Sequence, residues 1–254
     1  MQTIGLIAAL EQEIRPFLRQ VGKYEHGKLG PFHCFHFKFF DFNCLLVKSG
    51  MGIKRATDAT QKLLVAVKPQ FLVSFGVAGA VNNDLEIGDV IVGKSACSFK
   101  GGTINHLQPL AQLSAGSHQA AIRAMESGGA KIVSGAIFTT LRSTLTLADL
   151  QKPPHLVLEM ETAGIARVAA EWGIPLLALR AVSDTIAVPL PFDIADFFDE
   201  EANPRKGKII CTIIRHPSII ISSLRLRRNV NKATENLATV LVATMSQPLP
   251  IFLP

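Results

Sequence analysis

The segment from Leu156 to Asp184 decides the fold of this chain. It reads LVLEMETAGIAR over residues 156–167 and, after Trp172-Gly173, IPLLALRAVSD over residues 174–184. Two apolar runs flank a stretch with apolar residues at helical spacing, which predicts a βαβ unit. Its charged residues follow the predicted strands, and ligands bind at the carboxyl edge of open α/β sheets. We therefore expect a ligand site around Glu159, Glu161, Arg180 and Asp184.

The preceding residues add further strands and helices. Apolar runs at 3–10 and 71–75 are typical of buried strands, and residues 35–48 alternate as an antiparallel hairpin. Residues 53–67 have helical spacing, while the glycines and proline within 99–116 predict a long irregular connection. This order of elements predicts an α/β fold with three α/β/α layers and a central mixed, twisted sheet.

Length and composition favour one cytoplasmic domain. The chain has 254 residues, 48% of them hydrophobic, which is enough apolar surface for one large core. We expect a single domain over 1–254 with a helical, basic segment at 189–245. The apolar run at the N-terminus is too short to span a membrane and follows no basic residue. The four cysteines are widely spaced, which fits a reducing, cytoplasmic compartment.

The net charge of +6 is unevenly distributed. Residues 203–232 contain eight Lys and Arg residues and no acid, followed by apolar positions at helical spacing. Such a block suits nucleic acid, anionic lipid or an acidic partner, although a solvated helix face is commoner. The segment has no interleaved aromatic residues for base stacking, which argues against nucleic acid. Peripheral membrane contact stays open.

Four predicted strand ends carry side chains or turns suited to a ligand. They are Glu13, the Ser49–Gly52 turn, the Gly76–Gly79 turn and the charged group of the opening segment. Each has an ordinary explanation alone, since acids are common at helix N-termini and on surfaces. No complete dinucleotide or P-loop motif, HxxxH pair or GxSxG is present. We therefore predict no metal and no cofactor.

Five ordered blocks resemble the nucleoside phosphorylase family, and within it the methylthioadenosine/S-adenosylhomocysteine nucleosidases. The resemblance covers about residues 2–184. Its blocks are IGLIAALEQE at 4–13, SGMG at 49–52, GVAG at 76–79 with LEIGDV at 85–90, EME at 159–161 and RAVSD at 180–184. It implies an enzyme that cleaves the N-glycosidic bond of a purine nucleoside through an oxocarbenium-like transition state.

The resemblance also implies residue roles. Asp184 would protonate the leaving adenine, Glu13 and Arg180 would hold the attacking water, and Glu161 would bind the ribose. Met160 would bind the ribose alongside it, and Phe138 would stack on the base. The remaining substrate-binding candidates are Glu159, Ser49, Gly52, Val77, Ala78, Gly79 and Ser183. A buried Asp184 near other carboxyls is expected to have a raised pKa, as a general acid requires.

Several alternatives remain open at this point. An anionic Glu13 in the nucleophile pocket disfavours phosphate, so hydrolysis is expected before phosphorolysis. Val77 stands where the nucleosidases usually have serine, and 99–116 lacks their Tyr-His-rich loop. The segment SFGVAGA at 74–80, Leu190-Pro191 and the basic tail resemble hopanoid-associated members acting on an adenosylated lipid. A non-catalytic nucleoside-binding protein is a further alternative, and the family resemblance implies a homodimer.

Overall fold

The computed structural model describes residues 2–100, 103–140, 153–185, 218–247 and 252–253. The described strands are β1 (Gln2–Ala8), β2 (Glu25–Leu29), β3 (Phe32–Phe39), β4 (Phe42–Lys48), β5 (Phe71–Ala80), β6 (Val90–Lys100), β7 (Thr103–Pro109), β8 (Gln112–Leu113), β9 (Ile132–Thr139), β10 (Val157–Glu159), β11 (Leu176–Thr185) and β12 (Phe252–Leu253). The helices are α1 (Glu11–Val21), α2 (Ile53–Val67), α3 (Ala115–Met125), α4 (Thr162–Glu171) and α5 (Ser218–Met245), with a 3-10 turn at Glu126–Gly128.

One mixed sheet runs through the fold. Its order is β10-β9-β6-β11-β5-β1-β4-β3-β2, with β7 on β6. Strand β10 also pairs with β5, so β5, β11, β6, β9 and β10 form a closed ring of strands. Strand β5 therefore belongs both to this ring and to the open part of the sheet, with β1 and β11 parallel to it.

Helices cover both faces of the sheet, which confirms the three-layer prediction. On one face, buried residues of α1, α3 and α5 pack with alternate residues of the strands, among them Phe75 and Leu179. On the other face, α2 and α4 pack against the intervening residues, such as Leu72 and Ala178. The alternation follows from the two-residue period of strands. Each central strand therefore presents one set of side chains to each helical layer.

Several predicted elements have the expected bounds. Helix α2 spans Ile53–Val67 and ends at Lys68, whose backbone is left-handed with φ of 43°. Strands β3 and β4 pair antiparallel, as the alternation predicted. Helix α5, Ser218–Met245, lies within the predicted helical segment, while residues 189–217 of that segment lie outside the described residues. Among the helices that are described, none is both long and apolar enough to cross a membrane.

Two predictions were wrong. Residues 99–116 are not an irregular connection, because β6 continues to Lys100 and pairs antiparallel with β7, which begins at Thr103. Strands β10 and β11 also do not form a parallel βαβ unit. They lie on opposite sides of β5, to which β10 is antiparallel and β11 parallel.

Candidate active site

A small cavity lies where β1, β5, β11 and the start of α4 meet. It has room for about one water molecule. Its charged lining groups are Glu13, Glu161 and Arg180, and Ser49, Ser74 and Gly76 add small polar or backbone surface. Of the residues predicted from the sequence, Glu13, Ser49, Gly76, Glu161 and Arg180 line this cavity, whereas Glu159 and Asp184 do not.

Glu13 reaches the cavity from the first turn of α1. Its Oε2 accepts hydrogen bonds from the backbone N–H groups of Ala9 and Leu10, at 2.9 and 2.7 Å. Its Oε1 accepts one from the N–H of Val77 at 2.9 Å. Burial raises the pKa of Glu13 above 4.5, against the opposing effect of these donors and of Arg180. The carboxyl is thus fixed in direction by backbone alone.

Arg180 lies on the α4-facing side of β11 and is almost fully buried. Its Nη2 donates to Ser74 Oγ at 2.9 Å, Glu159 Oε2 at 3.0 Å and Thr162 Oγ1 at 2.6 Å. Its Nη1 donates to the carbonyl of Leu179 at 2.8 Å. The buried charge is therefore paired and hydrogen-bonded, as burial of a charge requires.

Glu161 lies at the N-terminus of α4 and faces the SGMG segment. Its Oε1 accepts a hydrogen bond from the N–H of Gly52 at 2.7 Å, and Gly52 has a φ of 96° that favours glycine. Burial, together with the charges of Glu159 and Glu13, raises the pKa of Glu161 from 4.5 to about 8. This side chain is therefore protonated in the free protein near neutral pH.

Asp184 lies outside the cavity lining, near the end of β11 beside Gly79 of β5. Its Oδ1 accepts a hydrogen bond from Ser183 Oγ at 2.7 Å. Burial raises its pKa above 3.8, and the Ser183 hydroxyl opposes that effect. A β-bulge lies between Val182 and Asp184. Asp184 and the cavity thus lie at neighbouring positions along the pair of strands β5 and β11.

Comparison with known proteins identifies the family. A model described as "Phosphorylase superfamily" matches residues 3–215. The chain belongs to this superfamily. The 5′-methylthioadenosine/S-adenosylhomocysteine nucleosidase of Buchnera aphidicola is 26% identical over 195 residues, which cover 71% of this chain and 84% of the relative. That of Actinobacillus succinogenes is 28% identical over 197 residues, covering 71% and 85%.

Solved structures agree with the superfamily fold. A nucleosidase of the same description from Colwellia psychrerythraea, solved in complex with adenine, has a TM-score of 0.70 and 18% identity. The match covers 96% of this chain and 94% of the other. A futalosine hydrolase from Helicobacter pylori has a TM-score of 0.67 at 20% identity, covering 95% and 96%. At these identities the likeness establishes the fold.

Of the other predicted site residues described below, only Ser49 lines the cavity. Val77 supplies its N–H to Glu13, while its side chain packs against the core on the α1 side. Met160 is half-buried in a bend before α4. Phe138 packs in a cluster with Cys97 and Leu156 and is not among the residues that line the cavity. Ser49 donates to the Gly50 carbonyl, and the Ala78 carbonyl accepts from Ser183 Oγ.

Sequence reasoning missed three hydroxyl residues that contact Arg180 or Glu159: Ser74, Thr139 and Thr162. Thr162 directly follows Glu161, and a hydroxyl residue at a helix start is common for reasons of capping alone. Ser74 sits within an apolar strand, where a polar residue is a weak signal of a functional contact. Among the described residues, no three His, Cys, Asp or Glu side chains are arranged to hold a metal ion.

Proposed function

We propose that the protein hydrolyses the N-glycosidic bond of a 5′-substituted adenosine and releases adenine. The observation that carries the proposal is the cavity, which has room for about one water molecule between Glu13, Glu161 and Arg180. The named activities of the relatives, methylthioadenosine/S-adenosylhomocysteine nucleosidases, agree with this chemistry. Glycoside hydrolysis requires a group that holds water, an acid for the leaving group and contacts to the sugar.

The roles proposed for the residues are those that the family resemblance implies, and the contacts around the cavity support them. Glu13, held by three backbone donors, accepts a hydrogen bond from the attacking water, and Arg180, which lines the same cavity, helps to hold that water. Glu161 binds ribose hydroxyls, since it lies at the same cavity with a carboxyl oxygen beside Gly52. Asp184 carries the proton for the leaving base, and its raised pKa retains that proton at higher pH than an exposed aspartate.

Phosphorolysis is the first alternative, and the charges at the cavity disfavour it. Two carboxyl groups and one guanidinium border the cavity. A phosphate dianion would be repelled by Glu13 and would compete for an arginine already held by Glu159. Water is uncharged and accepts and donates hydrogen bonds equally well. Hydrolysis therefore fits this set of groups better.

Product analysis tests the proposal. The purified protein is incubated with methylthioadenosine or S-adenosylhomocysteine, with and without phosphate, while adenine is followed. A free sugar product supports hydrolysis, whereas a sugar 1-phosphate that requires phosphate would overturn it. Asp184→Asn is expected to abolish release, and the matched variant Asp58→Asn, on the exposed side of α2, is expected to retain it. Adenine binding without turnover in wild type would favour a non-catalytic nucleoside-binding protein.

An adenosylated hopane lipid is the alternative substrate, and one surface feature favours it. Arg225, Arg227, Arg228 and Lys232 of α5 are exposed and suit an anionic membrane surface. Sedimentation with phosphatidylglycerol vesicles, compared with phosphatidylcholine vesicles, tests the contact. Turnover of adenosylhopane but not of methylthioadenosine would favour this substrate. The homodimer and the cytoplasmic location stay predictions, testable by light scattering and by fractionation.

A further inference from the structure

Glu159 lies behind the cavity and is 6% exposed, although the sequence predicted that it binds substrate. We propose that Glu159 is a positioning residue, which holds the Arg180 guanidinium and the start of α4 in place and does not contact the nucleoside. This inference rests on the proposed nucleosidase function. Glu159, the first acid of the EME segment, would thus position other groups, whereas Glu161 would bind the ribose.

The hydrogen bonds of Glu159 leave no room for a sugar hydroxyl. A carboxylate has about four lone-pair sites. Oε1 accepts from Thr139 Oγ1 and from the N–H of Thr162, which is shared with Oε2. Oε2 also accepts from Thr162 Oγ1, from the N–H of Glu161 and from Arg180 Nη2. All of these donors belong to the protein, so both oxygens are saturated before substrate arrives.

The same bonds fix Arg180. Its Nη2 lies among acceptors from three elements, because Ser74 is on β5, Glu159 on β10 and Thr162 on α4. Thr162 Oγ1 accepts from Arg180 and donates to Glu159, so it bridges the ion pair. The guanidinium is therefore held in one direction at the cavity. A misplacement of about 1 Å in such a group typically lowers a rate by about 100-fold.

Glu159 also acts on Glu161. Its Oε2 accepts a hydrogen bond from the backbone N–H of Glu161 at 3.0 Å. This bond fixes the backbone where α4 begins, and from there the Glu161 side chain reaches Gly52. A carboxylate near the free N–H groups of a helix start is a favourable arrangement. In addition, the negative charge of Glu159 contributes to the raised pKa of Glu161. Removal of that charge should therefore be visible in the pH dependence of turnover.

Glu159→Gln is the first test, because it keeps the shape but replaces one acceptor oxygen with an N–H₂ group facing donors. We expect kcat to fall by about 100-fold, with KM changed by less than about threefold. The pKa assigned to Glu161 in the pH–rate profile should also move down. Glu171→Gln, at the exposed end of the same helix, is the matched control and should behave as wild type.

A substrate lacking a ribose hydroxyl separates positioning from binding. With 3′-deoxy-methylthioadenosine, wild type should lose kcat/KM by about tenfold, the order expected when one hydrogen bond is removed. Glu159→Gln should show the same loss, whereas Glu161→Gln should show little further loss. If the loss disappears in Glu159→Gln, this residue binds the hydroxyl and the inference is wrong.

Thr162 provides a test that does not depend on the stability of the Glu159 variant. Thr162→Val removes the hydroxyl that bridges Glu159 and Arg180, and Thr162→Ser retains it. We expect kcat to fall in the valine variant and to return to near wild type in the serine variant. Equal activity of both would overturn the inference. Absence of adenine release by wild type itself would instead refute the proposed nucleosidase function.

Discussion

Glu161→Gln should remove a pH-dependent destabilisation of the folded protein. The pKa of Glu161 is 4.5 for an ordinary glutamate and about 8 in the fold, with burial as the main cause. The unfolded chain releases this proton at lower pH than the folded chain, so wild-type stability falls as pH rises between these values. The raised pKa of Glu161 therefore lowers the free energy of unfolding of wild type by roughly 3 kcal/mol at pH 7 and by roughly 5 kcal/mol above pH 8, at 1.36 kcal/mol per pKa unit.

Urea unfolding measures this effect. The free energy of unfolding is determined for wild type and Glu161→Gln from about pH 5 to about pH 9, and the wild-type value is subtracted from that of the variant. Other titrating groups cancel in the difference, provided that they do not contact residue 161. We expect the difference to rise with pH in favour of glutamine, up to about pH 8, and then to become constant. Glutamine retains a carbonyl oxygen for the N–H of Gly52.

Two results would contradict the reasoning. A difference that does not change with pH would mean that Glu161 ionises in the folded protein as it does in the unfolded chain. A rise that stops near pH 5 would place its pKa near the ordinary value. Glu171→Gln serves as the control, because this half-exposed acid on the same helix pairs with Arg167 and should give a nearly constant difference.

Three further predictions concern packing and charge. Gly79→Ala should lower kcat strongly with little effect on the melting temperature, since an added Cβ would lie 2.6 Å from Asp184 Oδ2; adenine release and calorimetry check this. Phe17→Ala should destabilise the fold by about 3–5 kcal/mol in urea unfolding, because this fully buried ring packs edge-on against three other phenylalanines. Glu235→Gln should cost less than about 1 kcal/mol, since its partner Arg19 is exposed; a larger loss would contradict this estimate of an exposed ion pair.

Local sequence signals were sufficient where one element is decided by its own pattern. The apolar spacing of residues 53–67 predicted α2 to the residue. The alternation of residues 35–48 likewise predicted the hairpin of β3 and β4. In both, the buried face is set by residues adjacent in the chain. No information about distant strands is needed.

The closed ring of strands could not be predicted, because it depends on pairing between distant segments. Residues 157–159 form a strand at the predicted apolar run, but nothing in them specifies that Val157 pairs antiparallel with Ala80. Glu159 and Arg180 lie close together even though the predicted parallel direction of β10 was wrong. The antiparallel register brings β10 back along β5 to Gly79, while β11 runs forward beside Gly76 at Arg180. The predicted parallel unit and the observed antiparallel pairing of β10 therefore both bring Glu159 and Arg180 to the same part of β5.

The GVAG segment shows why its glycines are at the first and fourth positions. An added Cβ at Gly76 would lie 2.5 Å from Glu13 Oε1, and one at Gly79 would lie 2.6 Å from Asp184 Oδ2. Neither glycine has a positive φ, so each is required for the approach of a carboxyl group rather than for backbone conformation.

The bulge in β11 explains how the carboxyl group of Asp184 reaches β5, as that of Glu13 also does. Without it, the two-residue period would place Asp184 on the same face as Arg180. The shift after Val182 instead pairs Asp184 with Gly79, on the alternate set of β5 positions, whereas Arg180 pairs with Gly76. The bulge therefore turns Asp184 towards Gly79 and away from the β5 position that Arg180 pairs with. A glycine that admits Asp184 and a bulge that aims it are parts of one arrangement, and neither is useful without the other.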